Sequence, residues 1–127
     1  MTKRSFSIVA LVAFVLLTGG FSWYTVSQKQ NMPASPSVVV SMTDEGFSPA
    51  EFSVKAGSRV DFVNKSTTGQ YWPASDLHPT HELYSEFDPK EPVMPGKTWS
   101  FVFEKRGFWR MHDHLHPDKR GAVTVTP

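Results

Sequence analysis

The stretch TWSFVFE, 98–104, alternates strictly, with Trp99, Phe101 and Phe103 on one side and Thr98, Ser100, Val102 and Glu104 on the other. Side chains of an extended strand point alternately to opposite faces, so three rings at this spacing describe a strand with one face on a core. The pattern recurs with Val60 and Phe62 in SRVDFVN (58–64) and with Phe52 and Val54 in FSPAEFSV (47–54). SVVVSM (37–42) is a β-branched run, FWRMHDH (108–114) returns after the turn KRG, and AVTVT (122–126) ends the pattern. Gly57, Gly96, Gly107 and Gly121 are expected at turns between the runs. No helical period occurs after residue 37. Several short strands without helices predict a small all-β sandwich or barrel.

The N-terminus follows another rule. Lys3 and Arg4 precede an unbroken apolar run at 8–17, and no charge occurs from Phe6 to Val26. A charge-free segment of about 20 residues is long enough to cross a bilayer as a helix. Trp23 and Tyr24 stand where interfacial aromatics would sit, and Lys3 and Arg4 favour a cytoplasmic N-terminus with the rest outside, periplasmic or extracellular. Residues 1–26 are therefore expected to be an uncleaved signal-anchor or transmembrane helix. A cleaved signal peptide and a secreted domain is the alternative, although no A-x-A-like site follows the run. Residues 27–36, with Pro33 and Pro36, read as a linker of limited flexibility. The domain is then 37–127. Lys3, Arg4 and Lys29 lie ahead of it, so ten of the thirteen basic residues face all twelve acidic ones, and its formal charge is −2. No basic face for nucleic acid is indicated. The chain has no cysteine, which removes disulfides, thiolate zinc sites, thiol catalysis and iron–sulfur clusters.

All five histidines lie between 78 and 116: His78 and His81 in HPTH, and His112, His114 and His116 in HDHLH. By strand phase, Trp109, Met111 and Asp113 share the core face, while His112 and His114 project from the other. The connection 65–97 is about 30 residues long, and a loop of that length is usually functional or disordered. Tyr71, Trp72, Leu77, Tyr84 and Phe87 argue against disorder. This segment alone has enough chain to cover the histidine face. His78, His81, His112 and His114 are therefore expected to form a metal-ligand set, with His116 and Asp113 secondary. Imidazoles suit copper, zinc, nickel or iron(II), and copper(II) binds tightest in the divalent series. Solvated or structurally hydrogen-bonded histidines are the alternative. A carboxylate at Asp113, toward the end of the core, needs a partner, and Lys119 or Arg120 is expected to supply it. Asp76, Glu82, Glu86, Asp88 and Glu91 read as a solvated acidic rim, with Glu82 a candidate carboxylate beside the ligands.

The run F-x-P-x-x-x-x-V-x-x-G-x-x-V-x-F-x-N at 47–64, MPGKTWSFVFEKRGFW at 94–109 and HPDKRGAVTV at 116–125 together resemble the cupredoxin-like family, related to plastocyanin and azurin. WPASDLHPTHELYSEFDP (72–89) with HDHL (112–115) is similar to a bacterial branch that lacks the ligand cysteine. The resemblance implies a Greek-key β-sandwich or barrel. Family members with blue copper use two His, one Cys and usually an axial Met. Here the Cys position falls on Asp113, the downstream His on His116 and the axial Met on Lys119, while the upstream His is missing near Gln70 or Tyr71. Only one of those four ligands carries over, and a blue type 1 site needs a thiolate. The implied function is copper binding, or binding of another divalent metal, by a membrane-anchored domain outside the cytoplasm. Its work would be metal handling or slow redox rather than blue-copper electron transfer, beside a membrane oxidase or transporter. A metal-free β-sandwich interaction module is the second reading and a small copper enzyme the third. No Ser-His-Asp order, phosphate loop or paired-carboxylate site stands out, so binding is expected ahead of catalysis.

Overall fold

A computed structural model describes residues 35–127. The expected membrane segment 1–26 and nearly all of the 27–36 linker lie outside the described residues. Among the described residues no helix is long and apolar enough to cross a membrane. The strands are β1 Val38–Met42, β2 Phe47–Ser48, β3 Glu51–Lys55, β4 Ser58–Asn64, β5 Pro73–Ser75, β6 Thr98–Phe103, β7 Gly107–Asp113 and β8 His116–Thr126. One sheet has the order β2-β1-β4-β6 and the other β3-β8-β7-β5. The expected all-β sandwich is what forms, with a single 3-10 turn at Glu82–Tyr84 among the described residues.

Alternation builds the core. Val40 pairs with Phe62 across the parallel β1–β4 ladder, and Phe62 with Trp99 across the antiparallel β4–β6 ladder. Val54, Val123, Val125 and Met111 supply the other sheet's contribution. Two strand expectations need correction. β8 begins at His116, ahead of the expected 122–126, because the β7–β8 hairpin pairs in one register from Gly107↔Val125 to His112↔Arg120 and, after a register shift, again at Asp113↔His116. Its first half has no apolar alternation, so only the hairpin ladder makes it a strand. Gly121 lies inside β8, not at a turn. A Cβ there would come within 2.5 Å of the Ala50 carbonyl oxygen and of Met111 Cε, so close approach demands glycine.

The connection 65–97 is pinned along its length. Asn64 Nδ2 donates to the carbonyls of Gly69 (3.0 Å) and Val93 (2.8 Å), and its Oδ1 accepts from the Ser66 amide (2.9 Å). A bridge joins Tyr71 to Val93, and β5, absent from the sequence pattern, pairs along the free edge of β7. Phe87 is fully buried, with its ring 5.0 Å from Phe103 and 5.2 Å from Phe101 between centroids. The Tyr84 hydroxyl accepts the amides of Glu104 and Lys105 at 3.1 and 3.2 Å. Phe87→Ala should cost about 3–5 kcal/mol, the usual range for removing a buried phenyl ring. It should also raise amide hydrogen exchange selectively across 76–88. Native-like protection there, measured by mass spectrometry, would mean that Phe87 does not anchor the segment.

Candidate metal centre

On β7 the last three residues, Met111, His112 and Asp113, are all buried, although only one strand face belongs to the sandwich core. The 76–88 segment covers the second face. Ala74 is the cross-strand partner of His112, and Asp76, two residues further on, continues toward the His112 ring. His112 is fully buried, and its Nδ1 lies 2.8 Å from Asp76 Oδ1. A carboxylate accepts only, so Nδ1 carries the proton and Nε2 the lone pair. That Nε2 is the one buried side-chain nitrogen or oxygen among the described residues without a hydrogen-bond partner. Buried polar atoms are paired in the great majority of cases, so this one asks for a ligand.

His81 adopts left-handed backbone angles, φ 56° and ψ 27°. For a residue with a Cβ this costs about 1–2 kcal/mol. The turn is held by the Ser75 hydroxyl donating to the His81 carbonyl at 2.8 Å and by the His81 amide donating to the Leu77 carbonyl at 2.6 Å. The buried His81 ring has Nδ1 2.7 Å from Asp88 Oδ2, which again leaves Nε2 with a lone pair. That Nε2 lies 2.9 Å from Nδ1 of His114. His114 also stacks on His78, with centroids 4.8 Å apart and planes 23° from parallel, and packs on Trp72 at 4.8 Å. His78 is exposed, and its Nε2 is 3.4 Å from the His114 carbonyl oxygen. One ring nitrogen each from His78, His112 and His114 lie within 4.8 Å of one another, a group able to hold a metal ion. His81 completes the cluster through ring contacts of 5.3 Å with His112 and 4.8 Å with His114.

The environment favours neutral imidazoles. Burial holds His112 below the usual histidine range, partly opposed by Asp76 and reinforced by His78 and His81. Burial and then its neighbours His81 and His78 lower His114 likewise. Burial alone would raise the Asp88 carboxyl, but hydrogen bonds from His81, Lys90 and Trp72 outweigh it and hold the group well below the usual carboxylate range. Neutral, lone-pair-bearing nitrogens with their second nitrogen held by a carboxylate are what a divalent transition metal requires.

The four histidines expected to meet do meet. His116 and Asp113 stay apart from them. His116 Nδ1 lies 2.7 Å from Asp113 Oδ2, while Asp113 Oδ1 accepts the amides of Trp72 (2.9 Å) and Leu115 (3.1 Å). Asp113 is thus satisfied by His116 and two amides, not by Lys119 or Arg120 as expected. Lys119 sits over the Tyr71 ring at 4.9 Å, and Arg120 reaches Asp76 at 3.3 Å. The acidic rim also needs correction. Asp76 and Asp88 are shielded from solvent and hold the His112 and His81 rings, whereas Glu82 is exposed. Nothing short-range marked those two aspartates, since their partners are 36 and 7 residues away. Asp88, with Trp72 Nε1 donating to it at 2.8 Å, is also part of the surroundings of His114.

The profile of the family described as Cupredoxin-like domain matches residues 13–125. Among solved structures, a purple cupredoxin from Nitrosopumilus maritimus aligns with TM-score 0.59 and 20% identity, covering 70% of this chain and 99% of that one. A reduced Cu(I) form of an amicyanin variant at pH 4 gives 0.59 and 22%, covering 73% of this chain and 85% of that one. An oxidised amicyanin variant gives 0.56 and 24%, with the same 73% and 85% coverage. No curated protein matches. With a family profile spanning nearly all of the sandwich, and a similar fold in these solved cupredoxins, the chain belongs to the cupredoxin-like family, as a member without cysteine.

Proposed function

We propose that this protein handles copper through an all-imidazole set, His78, His81, His112 and His114, in place of the thiolate centre associated with its fold. The observation that carries the reading is the buried, partnerless Nε2 of His112, aimed among three other imidazoles while Asp76 holds Nδ1. Nitrogen donors suit copper, and copper(II) leads the divalent series at such sites. Copper held there supplies slow one-electron chemistry or simple custody of the ion, since no thiolate is present. The chain's own residues do the rest. Asp76 and Asp88 orient two rings, Trp72 packs on a third, and burial favours the neutral form of His112 and His114. The Asp113–His116 pair argues against a site at the family's usual position, because both Asp113 oxygens already have partners. The apolar N-terminal segment supports a membrane-anchored domain outside the cytoplasm, where a membrane oxidase or transporter would be its client.

Calorimetric titration of copper into the apoprotein tests the site. His112→Ala should lower affinity by more than about 100-fold, and Asp88→Asn by about 10–100-fold, the range typical of groups that orient a ligand. His116→Ala should change little. Loss confined to His116→Ala would move the site to the Asp113 pocket, and no stoichiometric copper on the wild type would leave a metal-free interaction module. The copper adduct should show only weak visible bands, because intense blue needs Cu–thiolate charge transfer.

Stability of the apoprotein should fall on acidification. His112 and His114 are lowered in the fold, so below about pH 6.5, the ordinary histidine value, the unfolded chain takes up protons that the fold resists. Stability is therefore full above that pH and declines beneath it. Denaturant midpoints measured from pH 8 to pH 5 should drop, and less so in His112→Gln; a flat profile would contradict the burial of neutral imidazole.

The protein should fractionate with membranes and resist extraction by high salt, because an apolar span inserts hydrophobically rather than electrostatically. N-terminal sequencing of the mature chain checks it: a start beyond about residue 20 would mean signal cleavage.

A further inference from the structure

The four imidazoles are not equivalent. His112 is fully buried and His81 nearly so, at 4% exposure, and in each a carboxylate grips Nδ1 at 2.8 and 2.7 Å. His114 is half-buried, with its amide donating to the Trp72 carbonyl at 2.8 Å and its ring packed on Trp72. His78 differs on every count. It is exposed, no carboxylate holds either of its nitrogens, and its only ring hydrogen bond is a weak one of 3.4 Å to a carbonyl. A ring fixed by a buried charge-assisted bond is positioned before an ion arrives. An exposed ring held only by ring contacts with His114 and His112 and by one weak hydrogen bond can turn away at less cost than a ring gripped by a buried carboxylate. The side chains next in sequence on this rim, Leu77 and Leu115, are exposed to 46% and 39% and offer no donor atom of their own.

Resting on the copper reading above, we propose that His78 is the exchangeable ligand of the set. Its position is open to an external imidazole, so the ion is received from, or surrendered to, a histidine donor by replacing His78, while His81, His112 and His114 stay in place. Each exchange forms one metal–nitrogen bond and breaks one, with no change of oxidation state. The incoming imidazole is a partner's histidine side chain or a small histidine-like chelator. Both present the same donor, and both approach from the only side of the cluster that carries an exposed member.

The test is chemical rescue, with copper(II) and free imidazole as the probes. His78→Ala removes an exposed side chain and should fold as the wild type does. Its copper affinity should fall at least about tenfold, and imidazole in the millimolar range, replacing the effective concentration of a tethered group, should restore it. The same addition should saturably change the nitrogen hyperfine pattern of the copper(II) paramagnetic resonance spectrum toward that of the wild type. His112→Ala, whose ring place is closed to solvent, should not be rescued. A partner-borne donor is represented by N-acetylhistidine amide, which presents the imidazole without a free amine and should also rescue His78→Ala; rescue by imidazole but not by this ligand overturns a partner side chain as the donor, and failure of both overturns the inference. If His78→Ala binds copper as the wild type does, or is weakened without rescue, or if His112→Ala is rescued equally, the inference is overturned while the copper reading stands. If the wild type takes up no stoichiometric copper, the copper reading falls and this inference with it.

Discussion

A fully buried imidazole is the constraint on which the rest of the site depends. Placing His112 at the end of β7, with both strand faces covered, removes two polar nitrogens from water. Leaving one such atom unpaired costs about 1–3 kcal/mol. Asp76 relieves the cost at Nδ1, and that requirement propagates through the fold. Asp76 can reach the ring only if β5 pairs with β7. β5 lies there as part of a connection secured by Asn64 at its start and by Phe87 in the core. The cost at Nε2 is not relieved by any protein group. Among the described residues every other buried side-chain nitrogen and oxygen has a partner, and the left-handed turn at His81 brings a second ring to 5.3 Å from that of His112.

Period-two geometry then explains how a cupredoxin-like domain without cysteine can still present metal-binding chemistry. Adjacent residues on one strand face opposite ways. Asp113 turns toward His116 and the amides of Trp72 and Leu115. Its neighbours His112 and His114 turn to the other side, where the long connection supplies His78 and His81. The two sides are joined by Trp72: its amide serves Asp113, its carbonyl receives the His114 amide, and its indole serves Asp88. A change at this one residue would therefore be felt on both faces of β7.

Charge is distributed in layers around the cluster. The inner layer is imidazole, with His112 and His114 favoured in the neutral form. Next come Asp76 and Asp88, and outside them Arg110, Arg120 and Lys90 lie against those carboxylates at the surface. The exposed cations are screened by water and add little to stability on their own. Their position matters more than their strength, since they lie against the two carboxylates that accept from Nδ1 of His112 and His81.

Alternation of apolar and polar residues, a local property, was enough to locate β3, β4 and β6; a β-branched run located β1 and the return after a turn located β7, which together predicted a small sandwich or barrel, and period two put His112 and His114 on one side of a strand. The run from Phe47 to Asn64 carried the family resemblance, and the missing thiol ruled out a blue centre before any coordinates. The meeting of His78 and His81 with that strand was also within reach, because no other segment had enough chain. What the sequence by itself left undetermined depends on contacts between distant residues. β5 is three residues long and has no pattern of its own; it is a strand only because β7 offers an edge. The first half of β8 is polar and becomes a strand through its hairpin partner. Gly121 resembles a turn residue until the Ala50 carbonyl is placed against it. Asp76 and Asp88 look like surface charge until a buried ring stands 2.8 or 2.7 Å away. Burial and hydrogen-bond partnership are properties of the packed molecule, so only the tertiary structure decided which acids hold the histidines and which histidine remains open to solvent.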